Sequence, residues 1–110
     1  MQVIHMHVRI LKNAFLPSYK DYTNSAYGFG ATSIDDDKAK ECKPTDYARA
    51  NEAFCYYGSS YLYNGCYWTR SPYDSSTSDV SIVNSNGILA WSRVANDSSC
   101  RVRPCLSIKI

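Results

Sequence analysis

The chain has 110 residues and a mass of 12.4 kDa, the size of one domain with one modest core. Hydrophobic residues make up 45% and charged residues 20%, an ordinary balance for a globular protein. A net charge of +2 gives no electrostatic case for nucleic acid, and no apolar run approaches membrane-spanning length, so neither nucleic-acid binding nor membrane insertion is expected.

Residues 3–11 alternate. Ile4, Met6, Val8 and Ile10 point one way, and His5, His7 and Arg9 the other, which predicts a half-buried strand. His5 and His7 could ligate a metal from one strand face, but a third ligand is missing, so solvent-facing histidines are the expectation. The same stretch lacks the charged-then-apolar pattern of a signal peptide. A cytoplasmic location is therefore the default, and a cell-surface or secreted one is expected if the chain is a piece of a longer protein.

Ser18 with Asp21 three residues on forms a capping box, so a short helix starts near Tyr19 and breaks at Tyr27-Gly-Phe-Gly30. Asp35-Asp36-Asp37 invites calcium, yet the alternating acids, central Gly and distal Glu of an EF-hand loop are absent, and the run reads as a solvated helix start. Residues 45–54 predict a better helix, capped by Thr45, with Tyr47, Ala50 and Phe54 on one face. Gly58-Ser-Ser60 then opens a tyrosine-rich loop.

Gly65-Cys-Tyr-Trp-Thr-Arg-Ser-Pro72 reads as a buried strand end with a forced exit, because Pro72 cannot continue a central ladder. Trp68 is expected to be buried and Arg70 to be tied down by backbone carbonyls. Val80, Ile82 and Val83 predict a strand, and residues 88–94 its return. Between them, Asn86-Gly87 predicts a type I′ hairpin turn with Gly87 at positive φ. A final strand is expected to carry Val102, Leu106, Ile108 and Ile110 on one face and to pair with residues 3–11. The fold class is α+β: a small antiparallel sheet with a C-terminal β-meander and two short helices, in one domain spanning residues 1–110.

Cys42, Cys55, Cys66, Cys100 and Cys105 make an odd count with no zinc spacing. Reduced buried thiols and one or two disulfides plus a free thiol both fit. With Cys100 and Cys105 both on the last strand, five residues at ~3.3 Å rise would separate them by about 16 Å, on opposite faces, which excludes a shared metal or a bond between them. No cofactor is expected. Hydrolase motifs, glycine-rich phosphate loops and histidine-centred triads are absent.

The unusual totals are ten Tyr and fifteen Ser. Tyr offers large contact area at low entropy cost, and Ser and Asn offer pliable hydrogen bonding, as binding surfaces use them. The bland account of that composition is a loop-rich β protein with polar turns. The candidate ligand-binding residues are Tyr63, Asn64, Tyr73, Asp74, Ser75, Ser76, Trp91, Arg93, Asn96 and Asp97, expected on one exposed face. Trp68, Arg70, Pro72, Gly87, Arg103 and Pro104 are the structural candidates.

Phe15-Leu-Pro-Ser18, Thr45-Asp-Tyr-Ala48, Tyr67-Trp-Thr-Arg-Ser-Pro72, Val83 with Gly87, and Val102-Arg-Pro104 occur in order. Together they resemble a bacterial family of C-type-lectin-like domains with the pattern FLPS, TDYA, YWLRSP, V-x-x-x-G and GVRPA. That family is related in fold to formylglycine-generating enzymes and to variable proteins of diversity-generating retroelements. Thr69, Arg101 and Cys105 depart from its usual Leu, Gly and Ala. Its members carry a longer N-terminal part, so an N-terminally truncated domain, self-associating through an open sheet edge, is a further expectation. The resemblance implies a non-catalytic module presenting variable loops to an unknown protein or glycan. It also raises two alternatives: an oxidase remnant like the formylglycine-generating relatives, which use a cysteine pair with copper, and a structural domain with no ligand.

Overall fold

The computed structural model describes residues 9–10, 14–75, 78–106 and 108–109. His5, His7 and Ser76 lie outside the described residues, as do most of the first predicted strand and Ile110 at the chain's end. The architecture is α+β, with a three-stranded antiparallel sheet, a two-stranded one and several helical turns. No helix among the described residues is long and apolar enough to cross a membrane.

The helix starts follow their caps. The Ser18 hydroxyl accepts from the Asp21 amide and the Asp21 carboxylate from the Ser18 amide, which starts α1 (Tyr19–Tyr22). Thr45 Oγ1 accepts from the Ala48 amide and starts α2 (Asp46–Ala50). That second helix ends earlier than the alternation suggested, and Glu52 turns the chain at φ 70°. Five residues cannot build a stripe two turns long, so the expected buried face does not form: Tyr47 is 80% exposed and Phe54 is exposed.

The meander consists of β2 (Tyr67–Pro72), β3 (Asp79–Val83) and β4 (Trp91–Val94), paired antiparallel in the order β2-β3-β4. Register shifts between Trp68 and Pro72, where the proline ends the ladder. Alternation along β2 sends Tyr67 into one core with Tyr22, Val83 and Leu89. Trp68 goes to the other side, against Cys66, Ile82 and Cys100. Of the aromatic pair, Tyr67 is therefore the buried member. Trp68, expected to be buried, is only half-buried, with Nε1 donating to the Cys100 carbonyl at 3.1 Å.

The β3–β4 connection holds a tight turn, but not the type I′ turn expected. Gly87 N–H donates to the Asn84 carbonyl and Asn84 N–H to the Ile88 carbonyl, leaving a three-residue loop of Ser85, Asn86 and Gly87. Gly87 has φ 84°, whereas Asn86 is not at positive φ, which type I′ would demand. Packing selects this form. The Asp37 backbone lies against Gly87, with Asp37 N–H donating to the Asn86 carbonyl, and a Cβ on Gly87 would sit 2.2 Å from the Asp37 oxygen. Leu89 leaves the ladder to donate to the Ser33 carbonyl, so residues 33–37 and 86–89 clasp each other.

Ala95 N–H donates to the Ser78 carbonyl, which fixes the alternation along β4 and turns the Ser92 carbonyl to the open edge. The guanidinium of Arg93 donates to that carbonyl at 3.0 Å. At the chain ends, β1 (Arg9–Ile10) pairs antiparallel with β5 (Ile108–Lys109), with Arg9 opposite Lys109, as expected for these residues. Phe15 bridges Cys105 antiparallel on the same seam. Residues 102–104 are not strand, and Val102 and Leu106 are exposed rather than aligned on a buried face. Arg101 instead bridges Tyr67 in parallel, alongside β2.

The aspartate run starts a helix as expected, with Asp35 and Asp36 exposed, but Asp37 is not left to solvent. Asp37 caps a short 3-10 helix, Lys38–Lys40, and pairs with Lys40 at 2.7 Å. Lys40 is fully buried, and its ammonium also donates to the carbonyls of Gly30 at 3.2 Å and Thr32 at 3.4 Å. All three ammonium donors are thereby used. Burial pushes the Asp37 carboxyl up, but bonds from Lys40 and from the amides of Gly30 and Ala39 outweigh it and hold it below its ordinary 3.8.

The Asp37–Lys40 pair and the clasp at Gly87 generate three predictions. Asp37→Ala leaves a buried ammonium uncompensated and should cost ~3–5 kcal/mol in urea unfolding. The depressed carboxyl contributes stability in full above 3.8 and loses it as pH falls through its folded value, so the acid limb of stability against pH should be shallower in Asp37→Asn than in the parent. Gly87→Ala should cost ~2 kcal/mol or more, because positive φ and the Asp37 backbone both reject a Cβ, and a neutral result would refute the clasp.

Candidate functional site

Residues 54–64 form a closed loop built by backbone bonds. Tyr56 N–H donates to the Asn64 carbonyl at 2.8 Å, Tyr63 N–H to the Tyr56 carbonyl at 2.7 Å, and Asn64 N–H to the Tyr61 carbonyl at 2.9 Å. The Cys55 thiol donates to the Tyr63 carbonyl at 3.2 Å from a buried position. Phe54 N–H anchors the loop to the Ser99 carbonyl. Tyr63 is held at φ 68°, a conformation that costs a non-glycine residue ~1 kcal/mol or more.

This pinned loop presents its rings outward. Tyr57 is 74% exposed, and Phe54, Tyr56, Leu62 and Tyr63 are exposed as well. Tyr57 and Tyr63 meet edge to face with centroids 6.2 Å apart, and Tyr56 and Tyr61 meet tilted at 5.8 Å. The Arg49 guanidinium of α2 lies over the Tyr63 ring, 4.8 Å from its centroid. The Tyr61 hydroxyl donates to the Asp36 carboxylate, and that bond holds its pKa above the ordinary value. The result is a rigid aromatic surface with a cation at its border, the composition that protein interfaces concentrate at their centres.

The expected single face does not form. Asn64 is buried, not exposed: its Nδ2 donates to Glu41 Oε1 at 2.6 Å and to the Ser85 carbonyl at 3.0 Å, so it ties the loop to the β3–β4 turn. Tyr73 and Asp74 follow β2 at its far end, beside Tyr19 and Pro72, with Asp74 at φ 51° and Ser75 exposed. Tyr63 precedes β2, whose six residues span about 20 Å, so Tyr63 and Tyr73 lie at opposite ends of the strand. Trp91, 47% exposed, pairs with Ile82 on the outer strand. Arg93 there faces Asp97, Nε to Oδ2 at 3.8 Å, and Asn96 is exposed in the turn between them. Bonds from Ser99, with Arg93 adding to them, hold the Asp97 carboxyl below its ordinary value.

Arg70 is not tied to backbone carbonyls. Its side chain is 61% exposed, and a guanidinium nitrogen lies 3.5 Å from the Asp21 carboxylate. The structural arginine is Arg103, which stacks on the Tyr67 ring at 5.1 Å and donates to its hydroxyl at 3.0 Å. Pro104 lies next to it in the chain, close to Tyr67 and Pro44. The Tyr67 hydroxyl donates in turn to the Lys40 carbonyl at 2.6 Å, and burial pushes its pKa up to about 12.

Neither Cys100 nor Cys105 lies on the last strand, β5, where both were expected. Cys100 is joined to Cys66 in a disulfide across 34 residues, with Cα atoms 4.9 Å apart. Cys42, Cys55 and Cys105 are free. The described residues hold no group of three or more His, Cys, Asp or Glu arranged for a metal ion.

The chain belongs to the DUF6273 family: the model of this domain of unknown function matches residues 5–110. Searches of curated proteins and of solved structures find no match.

Asn64→Ala should cost about 1–3 kcal/mol, since it strands the Ser85 carbonyl and the Glu41 carboxylate, which a sequence reading as a surface contact would not foresee. Thermal unfolding checks this, and an unchanged midpoint would return Asn64 to the surface.

Proposed function

We propose that the protein is a non-catalytic binding module whose loops recognise a protein surface. The observation that carries this reading is the pinned, exposed aromatic loop of residues 54–64 with Arg49 at its edge. Its backbone is fixed before any partner arrives, so little ordering entropy remains to be lost on binding. Tyr and Arg are also the residues that most often dominate binding energy in protein interfaces.

The ordered motifs from Phe15 to Pro104 and the pairing of the chain's two ends support a C-type-lectin-like scaffold under this reading. On such a scaffold the Tyr-, Ser- and Asn-rich loops are the variable part, as in the variable proteins of diversity-generating retroelements. A near-copy of the C-terminal coding segment beside the gene, differing only at adenines, would support that diversification. The loop is joined to the β3–β4 turn through the buried Asn64, while its outward-facing rings can change with that tie and the core kept. The oxidase alternative loses its cysteine pair, because Cys100 is bonded to Cys66.

The test is a binding screen against surface proteins and glycans. A protein hit should weaken by about tenfold or more in Tyr57→Ala, ~1.4 kcal/mol, with the thermal midpoint unchanged because Tyr57 is largely solvated. Trp91→Ala should leave that hit intact. Binding that survives Tyr57→Ala and fails with Trp91→Ala would move the site to the outer strand, and hits confined to glycans would overturn the protein reading.

A further inference from the structure

A second site lies away from the aromatic loop's exposed rings. Between the approach to α2 and the C-terminal segment is a cavity of about 250 Å³. Pro44, Ala48, Tyr67, Val102 and Pro104 are among the residues that line it. Into this mostly apolar space come three cationic side chains, Lys43, Arg101 and Arg103, and among the described residues none of the lining side chains is acidic.

The two arginines are incompletely used. Arg101 donates from Nη2 to the Asn51 carbonyl, while its Nε is buried and meets no acceptor among the described residues. Arg103 donates from Nη1 to the Tyr67 hydroxyl and is fixed by stacking on that ring. A guanidinium offers five donors in a planar fork that matches a carboxylate. The other N–H groups of that fork remain to meet an anion in the cavity. The positive charge is fixed in place, and its counter-charge is not supplied by the cavity's own lining.

We propose that this cavity binds a small organic carboxylate, with the carboxylate at Arg101 and Lys43 and the apolar body against Pro44, Ala48, Val102 and Pro104. The volume lies just below the usual range for ligand pockets, ~300–1,000 Å³, so the occupant is the size of one amino-acid side chain. Apolar walls favour a carboxylate with a hydrocarbon body over inorganic phosphate, whose hydration shell those walls would strip without replacement. The carboxylate can come from a free acid or from the C-terminus of a peptide, since both present the same group.

The experiment is an amide-detected NMR titration of the full chain with benzoate, benzamide, inorganic phosphate, and a short peptide with a free or an amidated C-terminus. Benzoate should give saturable shifts in residues 43–48 and 101–103 at millimolar affinity, and benzamide and phosphate should give none. Affinity should fall by about tenfold in Lys43→Gln, whose exposed side chain is dispensable for folding, and should weaken with added salt. Arg101→Gln should abolish the shifts, and Arg101→Lys should restore them only in part, because the fork is lost. Binding by the free-terminus peptide and not the amidated one assigns the site to protein termini, while silence from both peptides with benzoate bound assigns it to small acids. Equal shifts from benzamide, binding by phosphate as tight as by benzoate, or no saturable shift at all would each overturn the proposal.

Discussion

One buried lysine, Lys40, gathers its own segment through its ammonium and joins it to the sheet through its carbonyl. Residues 28–45 contain only a single short helical turn, so their polar backbone needs partners from elsewhere. Lys40 supplies them. Its ammonium gathers the carbonyls of Gly30 and Thr32 and the carboxylate of Asp37, and its own carbonyl receives the Tyr67 hydroxyl. Tyr67 then carries Arg103, so a loop, strand β2 and the C-terminal segment meet through five polar contacts. The three donors of the ammonium all find acceptors, and a buried charge is tolerable only on that condition. Tyr22 packs edge-on against the Tyr67 ring, and Phe29 packs against Tyr22.

The sequence was most legible where the signal is local. Ser18 with Asp21, and Thr45 before Asp46, announce helix starts because capping is a contact between near neighbours. Alternation located β3, and Pro72 marked the end of β2 because a missing amide has only one consequence for a ladder. Where local chemistry met a tertiary contact, the contact won. Asn86-Gly87 reads as a type I′ turn in isolation, yet the Asp37 backbone against Gly87 selects the three-residue form. Nothing in the residues around Lys40 announces that carbonyls eight and ten residues earlier fold over it.

The candidate site divides in the same way. A tyrosine-rich loop could be seen in the composition, but its closure rests on backbone bonds that any side chains could make. Asn64 shows the difficulty: the amide that would serve a surface contact serves equally well inside, and only the positions of Glu41 and Ser85 decide. Cysteine pairing was equally silent. Spacing does not show that the turn after Asp97 carries Cys100 back along the sheet to Cys66. The bridge closes a loop containing the entire meander, so in the oxidised chain the three strands cannot separate far even when unfolded.

The Arg93 guanidinium resting on the Ser92 carbonyl has a consequence for assembly. An approaching strand seeking to lengthen the meander at β4 must first displace a charged group from the acceptor it needs, on an edge only four residues long. Growth of the sheet by addition of foreign chains is therefore discouraged at that border, and stacked, fibre-like association along it is blocked by a residue of the same strand.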